Sequence, residues 1–263
     1  MLPSRLLAAD EPPAATIIKG SAASPFLLLC DHASNRIPRR LGTLGLSNHD
    51  RERHIAWDIG AAVVTRLMAD TLGATAILQN YSRLVIDCNR PISAADSIVE
   101  VSEYVAILDN RALPEAEREL RQAEVFHPYH ARIQAEISLR RDQKAPTALV
   151  SLHSFTPVFK GERRNLHIGV LYNRDNRIAH PLMNFLRRAG DLHVGDNEPY
   201  ALSDESDYTL PVHGEQRGLP HVEIEVRQDL ISDGEGQRKW AQLLTQALVT
   251  TWQGIESQKN EIS

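Results

Sequence analysis

The sequence is poor in aromatic residues, with three Trp, six Tyr and five Phe making up 5% of 263 residues. It has only two cysteines, Cys30 and Cys88, too few for a disulfide-stapled scaffold. Both cysteines close apolar runs, so buried free thiols and a reducing, cytoplasmic setting are expected. No run of about 18 apolar residues exists, which leaves no expected membrane span. A signal segment is not expected either, because Leu6-Leu7-Ala8-Ala9 gives way at once to Asp10-Glu11 and two prolines. Charge of either sign is not in excess: 29 basic residues face 34 acidic ones, a net charge of −5. Basic residues cluster no further than pairs such as Arg39-Arg40 and Arg163-Arg164, which argues against a nucleic-acid surface. The expected partner is a small molecule, neither nucleic acid nor membrane, and the oligomeric state stays open.

The content that stands out is histidine, with eleven residues. Histidine is the commonest metal ligand and a frequent acid/base group. At 42% hydrophobic and 24% charged, the chain has material for one large α/β domain. Residues 1–24, with Pro12-Pro13, read as a loose N-terminal arm, and 25–254 as the domain proper. Phe26 to Cys30 is a short unbroken apolar run, as in a strand covered on both faces, and it ends in Asp31-His32. The segment 34–50 reads as loop. Helical spacing from about His54 to Leu72 stops at Gly73. Ala76-Ile77-Leu78 and Leu84-Val85-Ile86 read as strands, and 91–112 as an irregular excursion. The segment 114–143 reads as a long, largely exposed helix, kinked or interrupted at Pro128. Ala148 to Leu152 repeats the first pattern, an apolar run followed by His153. A strand at 166–171, a helix at 177–189, a short helix before Gly218, a strand at 221–227 and a last helix capped by Asp233 complete the pass. The alternation predicts a single-domain, three-layer α/β/α fold with a mostly parallel or mixed central sheet.

Two separate strands thus end in a histidine, His32 and His153, and open α/β sheets bind ligands at carboxyl strand ends. A third strand carries Glu223, Glu225 and Arg227 on one face, because side chains alternate with period two. Three charges there mean either a polar pocket or an exposed edge strand. A catalytic zinc takes about three His, Asp or Glu ligands; His32 and His153 qualify, with Asp58 at the start of the first helix as a third. Taken singly, each has an ordinary structural explanation: a hydrogen-bonded histidine, or an acid stabilising a helix N-terminus.

Several blocks in order resemble the N-formylglutamate amidohydrolase family. They are Cys30-Asp31-His32-Ala33-Ser34-Asn35, His54 to Gly60, Tyr81 to Pro91, Pro128-Tyr129-His130, His153 to Pro157 and Glu223 to Leu230. The resemblance runs from about residue 25 to 252. It implies a phosphorylase/hydrolase-like fold similar to that of zinc exopeptidases such as the carboxypeptidases. It also implies hydrolysis of a small N-acyl amino acid with a free carboxylate, and one Zn2+ or other divalent ion per chain. His32, Asp58 and His153 become the metal ligands, with Glu52 the alternative to Asp58. Zinc carboxypeptidases place a Glu three residues after the first His, but here that position is Asn35. On the same likeness Glu225 is the general base. Arg83, Asn89, Arg90, His130, Arg164, His213 and Arg227 form the expected substrate-binding set, whereas His49, His180 and His193 read as surface residues. The competing expectations are a peptidase or amidase acting on a larger peptide, and a non-catalytic ligand-binding relative.

Overall fold

The computed structural model describes residues 5–21 and 23–262, with side chains described through residue 258. Residues 1–4 and 22 of the expected arm lie outside the described residues. In chain order, β1 (Ala15–Ile18) and β2 (Phe26–Cys30) precede α1 (Asn48–Glu52), α2 (Ala61–Leu72) and β3 (Thr75–Gln79). A small hairpin, β4 (Val101–Ser102) and β5 (Val105–Ala106), leads to α3 (Glu115–Arg121), α4 (His127–Asp142) and the long strand β6 (Ala148–Phe155). A second hairpin, β7 (Val158–Phe159) and β8 (Glu162–Arg163), is followed by β9 (Ile168–Leu171), α5 (Ala179–Arg188), β10 (Val194–Asp196) and α6 (Thr209–His213). The chain ends with β11 (His221–Arg227) and α7 (Gly234–Ile262).

Seven strands form one mixed sheet in the order β1-β3-β2-β6-β11-β9-β10. β3, β2, β6 and β11 are mutually parallel, while β1 and β9 run antiparallel to their neighbours β3 and β11. The period-two alternation divides each strand between two cores. Phe26, Leu28 and Cys30 of β2, Val150 and Leu152 of β6, and Val222, Ile224 and Val226 of β11 pack with α2, α5 and α7. Leu27 and Leu29 of β2 and Leu149 of β6 pack on the other side with Phe126, Tyr129 and Ile133. The expected three-layer architecture is thereby present. After β2 the chain crosses to β3 on one side, and later inserts β6 on the other. β2 and β6 therefore flank a topological switch point, where adjoining strand ends part and leave a crevice.

Several local expectations are corrected. The described part of the arm is not loose: β1 pairs with β3, Leu6 is buried, and the backbone N–H groups of Leu6 and Leu7 donate to the Glu124 carboxylate at 2.8 and 2.9 Å. Leu84-Val85-Ile86 is a buried turn, not a strand. Its carbonyls are satisfied by side chains instead of a ladder: Leu84 O accepts from Asn110 Nδ2 at 2.9 Å and Val85 O from Arg121 Nη1 at 2.9 Å. The helix expected from His54 begins only at Ala61, because Gly60 ahead of it has φ +83°. The helical segment 115–142 is not largely exposed, since Arg121, Val125, Phe126, Tyr129, Ile133 and Arg140 are buried. Pro128 cannot donate to the carbonyl four residues back, and the preceding turn, Gln122–Phe126, widens into a π-helix. β6 runs to Phe155, so His153 lies within the strand and not past its end. The Asp233 cap holds, with Gly236 N–H donating to Asp233 Oδ1 at 2.8 Å. Among the described residues no helix is long and apolar enough to cross a membrane.

Candidate active site

On β6 the side that begins with Leu149 in the core continues through Ser151 to His153, and on β11 the matching side carries Glu223 and Glu225. The parallel register sets Glu223 beside Ser151 and Glu225 beside His153. His153, Glu223 and Glu225 open into a cavity of about 540 Å³ that also takes in His32, Asp58, Arg83, Asp87, Phe159, Lys160 and Tyr200. The β4–β5 hairpin borders it with Val101 and Ser102, and the β7–β8 hairpin with Phe159 and Lys160.

His32 lies in the turn two residues past the end of β2, and its carbonyl accepts the Asp58 N–H at 2.9 Å. Asp58 is held at that depth by the turn into α2. A Cβ on Gly60 would lie 2.2 Å from the Ile231 carbonyl, so only glycine permits this approach. The Asp58 carboxylate meets both imidazoles, with Oδ2 3.3 Å from His32 Nδ1 and 2.9 Å from His153 Nδ1. Gly169 has a similar role on the far side. It lies beside Glu225 in the β9–β11 pair, and a Cβ there would meet the Glu198 carbonyl at 2.0 Å, so the segment that delivers Tyr200 packs directly on the sheet.

Each imidazole has a second carboxylate on its other nitrogen. His32 Nε2 is 2.7 Å from Asp87 Oδ1, and His153 Nε2 is 3.1 Å from Asp31 Oδ2. Both carboxylates are themselves fixed. Asp87 Oδ2 accepts from Arg83 Nε at 3.1 Å and Nη2 at 2.6 Å, and its Oδ1 accepts the Asn89 N–H at 2.9 Å. Asp31 accepts from Tyr129 Oη at 2.7 Å, Thr209 Oγ1 at 2.8 Å and Ser151 Oγ at 3.0 Å. Metal-ligating histidines characteristically donate their distal N–H to such a carboxylate.

Burial alone would lower the pKa of His32 and His153, yet both are raised, because Asp87, Asp58, Asp31 and Glu223 surround them. Burial would likewise raise Asp31 and Asp58, but the two imidazoles hold both below the usual carboxylate range. Glu223 and Glu225 behave oppositely: burial dominates and pushes each up to about 8. Each also has a buried Oε2 without a hydrogen-bond partner among the described residues. Ligand atoms of His32, Asp58 and His153 lie within 4.8 Å of one another, and around a tetrahedral zinc such atoms stand roughly 3.3 Å apart. Nitrogen and carboxylate donors, oriented imidazoles and orphaned carboxylate oxygens fit a divalent cation at this position.

The remaining expected residues are distributed unevenly. Arg83, Asn89 and Arg90 border the cavity, but all three are engaged. Arg83 holds Asp87, Asn89 Oδ1 accepts the Thr209 N–H at 3.0 Å, and Arg90 pairs with Asp96 and Asp207. His130 and His213 are not among the residues that line it. They stack on each other, His130 Nδ1 3.1 Å from His213 Nε2, and burial pushes their pKa values down to about 4 and about 3. Arg227 turns away, pairing with Asp229 and donating to the Arg164 and Leu166 carbonyls. Arg164 lies against Phe159 and Tyr200, at 4.6 and 4.9 Å from the ring centroids. Glu52 is exposed and outside the cavity, and Asn35 donates to the Arg51 carbonyl at 3.0 Å. His49, His180 and His193 are exposed, as expected.

Sequence reasoning missed Asp31 and Asp87 as partners of the histidines, and Lys160 and Tyr200 as cavity walls. Asp31 precedes His32, and neighbours on a strand point to opposite faces; only the turn after Cys30 lets both join one cluster.

A profile of the N-formylglutamate amidohydrolase family matches residues 24–232. No curated protein matches the chain. Among solved structures, a gene product of Agrobacterium tumefaciens is 37% identical, with 96% of this chain and 100% of that one covered and a TM-score of 0.93. An N-formylglutamate amidohydrolase from Ralstonia eutropha shares the fold at 16% identity, covering 95% of this chain and 100% of its own, with a TM-score of 0.61. The site at the β2–β6 switch point is thus carried on the sheet of known relatives, and the chain belongs to the N-formylglutamate amidohydrolase family.

Proposed function

We propose that the protein is a metal-dependent amidohydrolase that cleaves a small N-acyl amino acid bearing a free carboxylate. The observation that carries this reading is the placement of Glu225 across from His153 in the wall of the cavity that His32 and Asp58 share, with a buried carboxylate oxygen that has no hydrogen-bond partner among the described residues. His32, His153 and Asp58 would hold the cation. Once bound, a divalent ion polarises the amide carbonyl and makes water more acidic. Glu225 then accepts a proton from the attacking water and delivers it to the leaving amine nitrogen. A buried carboxyl suits both tasks, because burial brings its pKa toward the working pH. Asp87 and Asp31 keep the imidazoles turned so that their Nδ1 atoms converge. The side chains of Phe159 and Tyr200 restrict water at the mouth.

Two alternatives remain in the same class. The cavity lies within the range of about 300–1,000 Å³ that buries drug-sized ligands, which favours a longer acyl group, or an amidase acting on a short peptide, over formyl alone. The test is hydrolysis of a panel of N-formyl, N-acetyl and longer N-acyl amino acids and short peptides by the protein loaded with Zn2+ or another divalent ion. Turnover that requires the ion, and disappears in Glu225→Gln, is expected. Metal-loaded protein that binds these amides but never cleaves them would establish a binding relative instead.

A further inference from the structure

A substrate carboxylate needs a cation that is not already neutralised. Arg83, Arg90 and Arg227 are each paired with an aspartate. Lys160 is different. It lines the cavity, its Nζ lies 5.3 Å from the Phe159 ring centroid, and among the described residues no carboxylate lies within ion-pair distance of it. Arg164 shares that ring, donates Nη1 to Tyr200 Oη at 2.8 Å, and also has no carboxylate partner among the described residues. The rest of the lining is rich in acids, including Asp87, Asp96, Glu103, Asp207, Glu223 and Glu225. Asp87, Asp96, Asp207 and Glu103 are balanced by Arg83, Arg90 and Arg53, so the positive charge left without an opposing carboxylate among the described residues lies at the β7–β8 end, and it favours an anion there.

The turn itself points the same way. Phe159 pairs with Glu162 across a two-residue loop in which Lys160 has φ +50° and Gly161 φ +88°. Positive φ at both positions is the pattern of a type I′ hairpin turn, which favours Asn-Gly. Lysine at the first position has no turn chemistry in its favour, and a non-glycine residue held at positive φ is a pointer to function.

We infer that Lys160 is a specificity-determining residue that receives the free carboxylate of the substrate's amino acid. Arg164, fixed against Phe159 and Tyr200, adds positive field at that end of the cavity. The substrate class is accordingly N-acyl amino acids with an unblocked carboxylate, in preference to their carboxamides. This inference rests on the amidohydrolase reading.

Lys160→Asn tests it, because asparagine suits the turn and removes the ammonium group. The assay compares the N-acyl amino acid cleaved fastest in the panel with its C-terminal carboxamide, using metal-loaded, full-length protein. In Lys160→Asn, KM for the acid should rise about tenfold with kcat nearly unchanged, KM for the carboxamide should not move, and Lys160→Arg should restore the acid. Added salt should raise KM for the acid more in the wild type than in Lys160→Asn. An unchanged KM for the acid, or an equal change for both substrates, overturns the assignment. If wild-type protein cleaves neither compound, the hydrolase reading fails. Calorimetric binding of N-formylglutamate to wild type and Lys160→Asn then decides the anion site separately: equal affinity, or no binding to either, overturns it, and weaker binding to the variant upholds it.

Discussion

Glu225 stands directly across from His153 in the parallel β6–β11 pairing, with both side chains on the cavity side of the sheet. Adjacent strands lie about 4.8 Å apart, so the proposed base and one proposed ligand are held by the backbone ladder and not by a mobile loop. Gly169 on the other flank of β11 leaves no side chain to crowd Glu225.

The first prediction follows from that pairing. Glu225→Gln keeps shape and removes the proton acceptor, so kcat should fall by roughly two to four orders of magnitude with metal content unchanged by elemental analysis. In the wild type, activity should be lost as pH falls through the pKa of Glu225. Because burial raises that pKa, the acid limb of kcat/KM should lie above the ordinary carboxylate range of about 4. An acid limb at or below that range would remove Glu225 from the role.

Asp87, in the cavity wall beside Arg83, holds His32 through its Nε2. Asp87→Asn should therefore weaken metal binding by about 10- to 100-fold while the far-ultraviolet circular dichroism stays native. Metal titration followed by calorimetry reads this directly. Undiminished affinity would mean that the 2.7 Å contact to His32 Nε2 serves packing alone.

Metal should increasingly offset the loss of stability that rising pH causes in the metal-free protein. His32 and His153 are raised in the folded chain. Their contribution is full below an unfolded value of about 6.5 and is lost as pH rises through the folded values. Glu223 and Glu225, pushed up to about 8, also make the folded state retain protons that the unfolded state releases above about 4.3. Both effects destabilise the metal-free protein as pH rises from about 6.5 toward 8. The depressed Asp31 and Asp58 act at the other end, contributing above about 3.9 and losing that contribution as pH falls through their folded values. Metal requires unprotonated imidazoles, so its binding strengthens with pH. The difference in melting temperature between loaded and metal-free protein should thus widen from pH 6 to pH 8; a constant difference would count against imidazole ligation.

Gly60→Ala should destabilise the protein by at least about 1–2 kcal/mol, the cost of a left-handed conformation in a non-glycine residue, with more from the close Ile231 carbonyl. Because the same turn places Asp58, metal affinity should drop together with the melting temperature. A loss of stability that left affinity intact would show that Asp58 is positioned independently of Gly60.

The amino-acid sequence alone determined the alternation of strands and helices and the three-layer class, and it nominated His32, Asp58 and His153 as candidates, because period-two and helical hydrophobicity and the ordered motif blocks are local signals; that the three converge was decided by the tertiary structure. The sequence also carried the shared cavity side of Glu223 and Glu225, but not the turning away of Arg227. It failed where the outcome depends on distant partners. Leu84-Val85-Ile86 is as apolar as a strand, yet the side chains of Asn110 and Arg121 complete its backbone. Arg90 and Arg164 look alike as candidates in sequence, but Asp96 and Asp207 neutralise Arg90, whereas no carboxylate among the described residues pairs with Arg164. Asp31 and Asp87 became partners of the two histidines, and Lys160 a cavity wall, only through tertiary structure, because turns, strand order and the crossing at the β2–β6 switch point bring together groups that no spacing in the chain relates.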